Sequence, residues 1–231
     1  MSYAVHRREN QGLLAGLERR TLLWLASRLP LRIHSDHLSA LGLAGMLSAA
    51  ASFAAFGTTS LAAWGVVLSL TLNWFGDSLD GTLARVRGHQ RPRYGYYVDH
   101  VIDLAGAAML FAGLACSHLM SPTAALLVLA AYLLVAAETY LATHARALFR
   151  MSFAGFGATE LRIVIAIGAL QAARDPWVSI TGIGPVRLFD LGAVIAAAGM
   201  VIAFLVSSAR NTAALYAAEP RPASDSRSAV A

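Results

Sequence analysis

The sequence predicts an all-α integral membrane protein: six transmembrane helices preceded by an amphipathic helix on the membrane surface. Three observations carry this. Of the 231 residues, 57% are hydrophobic and 13% are charged, whereas a soluble globule is about a quarter charged. The mean hydropathy is +0.58. Several apolar runs reach the roughly 20 residues that cross a bilayer.

The N-terminal segment, residues 1–33, comes first. Arg7, Arg8, Arg19, Arg20 and Arg28 interrupt any apolar core, so a cleavable signal peptide is not expected. Leu13, Leu14, Leu17, Leu22, Trp24 and Leu25 alternate with these arginines at near-helical spacing. That pattern suits an amphipathic helix lying on the membrane, or a plain topogenic flank. Residues 34–210 hold the six spans, at about 38–57, 60–85, 95–119, 121–148, 156–173 and 186–208. The connections are short, so neighbouring helices should pack antiparallel. Small residues at Ala44-Gly45 and from Ala196 to Gly199 permit close helix packing or a dimer face. Residues 211–231 form a C-terminal tail, rich in Pro, Ser, Ala and Arg past Glu219, that reads as disordered. There is no internal repeat and no second domain.

Charge placement orients the spans. The net charge of +5 is entirely arginine, since the chain has no lysine. The arginines flank apolar runs, which points to anionic lipid and membrane topology and away from nucleic acid. The segment 86–94 carries Arg87, Arg91 and Arg93, the segment 144–152 carries Arg146 and Arg150, and both ends of the chain are basic. The alternate connections near 57–60 and 118–121 have no arginine, and near 174–186 Arg174 sits beside Asp175. The positive-inside rule then places both termini in the cytoplasm. The single cysteine, Cys116, excludes an intrachain disulfide and a thiolate cluster.

Four aspartates break the apolar pattern. On a helix, residues three or four apart share a face. Asp77, Asp80, Gly81 and Ala84 line one stripe at the end of the second span, and Gly95, Asp99 and Asp103 line another at the start of the third. Both lie at the cytoplasmic edge. Carboxylates gathered beside a membrane repel one another unless a positive charge sits between them. A pair of divalent cations bound through oxygen is the simplest filling, and a two-metal phosphoryl-transfer site follows. An interface network with Arg85, Arg87 or Arg93 is the plainer alternative. His89, His100 and His118 lack metal-ligand spacing.

The pattern Asp77-x2-Asp80-Gly81-x2-Ala84-Arg85-x9-Gly95-x3-Asp99-x3-Asp103 resembles the signature of the CDP-alcohol phosphotransferase family, with every fixed position present. The resemblance implies six membrane helices around a polar cavity open to the cytoplasm, in a homodimer, in the cell membrane of a bacterium. It implies transfer of a substituted phosphate from a CDP-linked donor to an alcohol, with release of CMP, in phospholipid synthesis. By the same resemblance Asp77, Asp80, Asp99 and Asp103 would hold two Mg2+ or Mn2+ ions, and Asp103 would be the general base. Gly81, Ala84, Arg85 and Gly95 would contact the CDP moiety. The residue types suit this: small side chains let a base or diphosphate approach the backbone, and arginine offers a fork of donors to phosphate.

One departure lies upstream. Where the family often has a Pro-Asn-x-hydrophobic-Thr stretch, this chain has Ser35-Asp36-His37-Leu38-Ser39. Asp36 and Ser39 either hold the nucleotide or cap the first span. The acceptor site should draw on Glu138, His144, Arg146, Arg150, Glu160 and Arg162. The arginines would bind a phosphorylated acceptor, the glutamates a cationic amino-alcohol. Glu138 with Arg162, or Arg162 with Asp190, are alternatively structural pairs. The family's Gly-Lys-x-Lys-Thr-like stretch is replaced by Gly157-Ala-Thr-Glu160-Leu-Arg162, which weighs against a phosphatidylglycerophosphate synthase.

The preferred donor is CDP-diacylglycerol. The alternative is an amino-alcohol phosphotransferase using CDP-choline or CDP-ethanolamine with diacylglycerol. A divalent-cation transporter is the remote alternative, but the outer halves of the spans lack the acidic residues such a path needs.

Overall fold

The computed structural model describes residues 7–9, 15–146, 148–150 and 157–219. The elements run β1 (Arg7–Glu9), α1 (Ala15–Arg28), α2 (Ser35–Ala54), α3 (Ala62–Val86), α4 (Pro92–Cys116), α5 (Pro122–Arg146), β2 (Leu148–Arg150), α6 (Ala158–Ala172), β3 (Trp177–Ile180), β4 (Gly184–Arg187) and α7 (Leu188–Ala218). Each apolar run read from the sequence is a helix. Four of them, α2, α4, α5 and α7, are long and apolar enough to cross a membrane by length and composition. The chain is thus an all-α membrane protein. The remaining two depart for visible reasons: α3 carries Asp77, Asp80 and Arg85 in its last three turns, and α6 has only 15 residues.

The surface helix is α1, which packs against α3. Leu22 and Ala26 are buried there against Leu38, Leu79 and Leu83, while Leu17, Trp24 and the arginines stay exposed. Leu13 and Leu14 lie outside the described residues, as do Phe156 and the tail from residue 220. β1 and β2 pair in parallel, Arg7 opposite Leu148.

The bundle is built on α2, which packs against α3 and α4; α5 packs against α4 and α7. Small residues set these distances. A side-chain carbon at Gly76 of α3 would lie 2.4 Å from backbone atoms of Gly42 and Leu38, and one at Gly113 of α4 would lie 2.3 Å from the Ala50 carbonyl oxygen. Backbone cannot yield, so these glycines fix the crossings, as small residues do in lipid where van der Waals packing drives association. Gly45 likewise meets the backbone of Asn73, whereas Gly199 has no neighbour within 4 Å. The first stripe of small residues is therefore a helix contact within the chain, whereas in the second Ala196 packs against the larger core and Gly199 is open.

The larger apolar core lies where α2 and α4 end and α3, α5 and α7 begin. Phe53, Val66, Leu114 and Leu119 are almost wholly buried there, and Phe53 meets Phe189 edge to face at 5.5 Å.

Two further departures are structural. The connection expected at 174–186 folds into the β3–β4 hairpin. And α7 does not stop near 208 or yield to a tail at 211; it runs to Ala218. Asn211 is held by Glu138 and Arg146 of α5, and the Ala- and Leu-containing stretch after it favours helix.

Candidate active site

α3 and α4 bring the four aspartates to the end of the bundle opposite the large core. Asp103 experiences repulsion from Asp77, Asp99 and Asp80 and attraction to Arg162 of α6. Asp80 is repelled by Asp77 and attracted by Arg85. The other three carboxylates thus all bear on Asp103. Among the described residues, no three acidic, histidine or cysteine side chains converge on a single point.

Each aspartate has its own surroundings. Asp77 is ion-paired with the Arg162 guanidinium. Arg162 Nε donates to Asn73 Oδ1 at 2.7 Å, and Asn73 Nδ2 donates to the Gly42 carbonyl at 2.9 Å. A buried polar chain therefore links α2, α3 and α6, and it fixes where the guanidinium points. The third nitrogen, Arg162 Nη1, is buried without a hydrogen-bond partner among the described residues. Asp80 accepts hydrogen bonds from Ser39 Oγ of α2 and from the Gly81 backbone. Asp99 lies 3.6 Å from His100 Nδ1. Asp103 is exposed, open to an incoming group.

The residues expected to meet a nucleotide flank this cluster. Arg85 lies over Gly81, whose missing side chain would come within 3.3 Å of the guanidinium, and Arg85 Nη2 donates to Thr82 Oγ1 at 3.0 Å. Gly95 has no neighbour within 4 Å, so its backbone is approachable. Ala84 is half-buried on the same face as Gly81. Ser39 and Asp36 do not cap α2. The capping position is His34, whose N–H is taken by His37 Nδ1 at 3.2 Å. Ser39 instead reaches Asp80, and Asp36 forms an exposed ion pair with Arg91.

The candidate acceptor residues separate. Among the described side chains, Arg162 is placed at the aspartates by its contacts. Glu138 is buried between α5 and α7, where its two oxygens accept from Ser207 Oγ at 2.8 Å and from Asn211 Nδ2. Those partners lie on α7, and Arg162 is not among them. Arg146 donates to Asn211 in the same seam. Glu160 receives the Gly157 N–H at 3.0 Å, closing the first turn of α6. His144 is exposed, and the Arg150 side chain lies outside the described residues. Asp190 accepts the Ser121 N–H at 2.7 Å and does not meet Arg162.

Aromatic and polar residues surround the aspartates. Tyr132 of α5 lies in the field of Asp103, Asp77 and Arg162, and Tyr140 in that of Asp103 and Asp99. His100 sits between Tyr96, at 4.1 Å between ring centres, and Tyr140, at 5.0 Å. The two-turn spacing of Tyr132 and Tyr140 was the available signal. Glu18 of α1 is a residue the sequence did not single out: its Oε1 accepts from Trp74 Nε1 at 2.8 Å, Ser78 Oγ at 3.2 Å and Thr159 Oγ1 at 2.7 Å. Beside it runs a groove of about 310 Å3 between α1, α3 and α6, lined by apolar Leu17, Val67, Leu70 and Ile163 and reaching Glu18 and Arg162.

No protein-family model matches the chain, and no curated protein matches its sequence. Among solved structures it is similar to the Mycobacterium tuberculosis phosphatidylinositol phosphate synthase (PgsA1) with CDP-DAG bound. The identity is 21% and the TM-score 0.51, over 91% of this chain and all of that one. At this identity the likeness is one of fold alone, and it agrees with the all-α membrane architecture.

Proposed function

We propose that the protein is a CDP-alcohol phosphotransferase that transfers a phosphatidyl group from CDP-diacylglycerol to an alcohol and releases CMP. The observation that carries this is the joining of two independent facts. Asp77, Asp80 and Asp99 all bear on Asp103, and the fold around them is similar to that of a synthase solved with CDP-DAG.

The donor set suits hard divalent ions. Four carboxylates bear on one another with Arg162 as the cation acting on Asp103, and oxygen ligands of this kind fit magnesium or manganese. Asp77, Asp80, Asp99 and Asp103 are the residues that would hold them. Such ions would neutralise the diphosphate and stabilise the leaving CMP. The rest falls to the chain. Exposed Asp103 can take the proton of an acceptor hydroxyl at its carboxylate oxygen, while the acceptor oxygen bonds to phosphorus and the bond to CMP breaks. Arg85, over Gly81 and beside the open Gly95 backbone, offers donors to the CDP phosphates. Arg162, with one buried nitrogen still unpartnered, suits an anionic acceptor.

Two observations bear on the alternatives. The apolar groove by α1 favours a lipid-linked donor. The engagement of Glu138 by Ser207 and Asn211 occupies one of the two carboxylates read for an amino-alcohol acceptor. A cation path is disfavoured by the buried phenylalanine and leucine core that closes the other end of the bundle. The full proposal places six helices in the membrane, with both termini and the aspartates on the cytoplasmic side, in a homodimer.

The test is a transfer assay on purified protein in lipid with Mg2+ and labelled CDP-diacylglycerol. The acceptor panel contains glycerol 3-phosphate, inositol phosphate, inositol, serine and choline. CMP release with one acceptor names the product. Release only from CDP-choline or CDP-ethanolamine with diacylglycerol reverses donor and acceptor. No release and no metal-dependent CDP binding overturns the assignment.

A further inference from the structure

The segment joining α6 to α7 has features that a connecting loop does not need. β3 and β4 pair in register from Trp177 opposite Arg187 to Ile180 opposite Gly184. The tip turns through Gly182 and Gly184, at φ of 85° and 99°, values that favour glycine. The base is tied down: Asp175 accepts the Trp177 N–H at 2.9 Å, and Leu188 donates to the Pro176 carbonyl at 2.8 Å. Yet this ordered hairpin presents apolar groups outward. Ile183 at the tip is 74% exposed and Trp177 is 50% exposed, with the Arg187 guanidinium 5.8 Å from its ring.

Its level in the bundle is fixed by its neighbours. Phe189, two residues past the hairpin, packs on Phe53 at the end of α2, and Asp190 holds the Ser121 N–H just before α5. The hairpin therefore stands at the end opposite the aspartates. There α6 is short. Its 15 residues rise about 22 Å, less than the roughly 30 Å of a hydrocarbon core. The Arg162 guanidinium spans Asn73 and Asp77 of α3, and its Nε contact sets the register of α6 against Asn73. From Arg162 to Ala172 the chain climbs about 15 Å, and from Asn73 back to Ala62 α3 climbs about 16 Å. So α6 ends near the level where α3 begins, and Ala169 and Ala172 join Ala62 and Ala63 in the larger core. The hairpin lies at that end, and its inter-strand hydrogen bonds pair part of its backbone where lipid offers no partner. Trp64, 62% exposed in the first turn of α3, belongs to the same end.

We infer that the β3–β4 hairpin is an interfacial membrane anchor, with Trp177 and Ile183 seated at the headgroup–acyl boundary of the leaflet opposite the aspartates. Tryptophan and arginine concentrate at that boundary because each joins an apolar body to a polar end. A second copy of the chain is a poorer occupant, since two four-residue strands fall far short of the roughly 800 Å2 per partner of a stable interface. The inference rests on the membrane reading and not on the activity, so a negative transfer assay leaves it standing.

The test uses full-length protein in phosphatidylcholine–phosphatidylglycerol vesicles, on a Cys116→Ser background. Ile183→Cys carries a polarity-sensitive fluorophore, and Gln90→Cys, exposed in the α3–α4 connection, is the aqueous reference. The Ile183 label should emit further to the blue. Aqueous iodide should quench it about threefold less, and lipids with a shallow nitroxide should quench it more than those with a deep one. Emission and iodide quenching equal to the reference overturn the inference. So does shielding from iodide without quenching by nitroxide lipids, which is the signature of protein cover. Thr181→Cys, two residues away and also exposed, repeats the reading if the first variant fails to fold.

Discussion

Asn73 makes a measurable claim about how the candidate site is held. It is buried in α3, gives one hydrogen bond to the Gly42 carbonyl of α2 and takes another from Arg162 Nε of α6. Asn73→Ala removes both and leaves a guanidinium N–H unsatisfied, while the Gly42 carbonyl keeps its helical hydrogen bond. In water-soluble proteins a hydrogen bond to a charged group contributes about 1.5–3 kcal/mol and a neutral one about 1 kcal/mol. Between membrane helices, double-mutant cycles average about 0.6 kcal/mol and reach about 1.7 kcal/mol. The Arg162 bond is short, charged and buried, so the upper end applies. The coupling between Asn73→Ala and Arg162→Met should be about 1.5 kcal/mol, and the loss from Asn73→Ala alone about 2 kcal/mol. Reversible unfolding in mixed micelles, followed by circular dichroism on the wild type, both single variants and the double variant, measures both. A coupling indistinguishable from zero would refute the reasoning, because the two side chains would then act independently despite their 2.7 Å contact.

Asp103→Asn should slow transfer by about 10^2- to 10^4-fold while metal-dependent CDP-donor binding survives; full retained turnover sinks the base assignment. Chelation by EDTA should stop turnover, and Mg2+ or Mn2+ should restore it; activity that persists after exhaustive chelation removes the metals from the proposal. Gly76→Ala should cost about 1–3 kcal/mol, since its new carbon meets backbone at 2.4 Å, whereas Gly192→Ala, with open space around it, should be neutral or stabilising. Equal unfolding midpoints for those two variants would contradict the α2–α3 crossing.

The helices were legible because apolar runs of about 20 residues have few other uses. The aspartates were legible because helical periodicity needs no tertiary information. The residues that organise the site were hidden for the converse reason. Asn73 and Tyr132 look like isolated polar breaks in apolar runs until α6 and α4 are brought against them. Glu138 and Arg146 sit at plausible acceptor positions, and the packing of α7, extended past residue 208, reveals that Ser207 and Asn211 engage Glu138 and that Asn211 also engages Arg146. The hairpin escaped notice because Trp177–Ile180 and Gly184–Arg187 are four-residue strands, too short for alternation to stand out.

The single carboxylate oxygen of Glu18 that serves Trp74, Ser78 and Thr159 constrains how this lineage can vary. Aspartate is one methylene too short to reach the same three donors. A neutral apolar residue would strand an indole N–H and two hydroxyls at once. Substitution at position 18 is therefore tolerated only alongside a change on α3 or α6. Relatives that depart from glutamate here should also have lost the tryptophan at 74 or the threonine at 159, and a collection of such sequences would show those three positions drifting together.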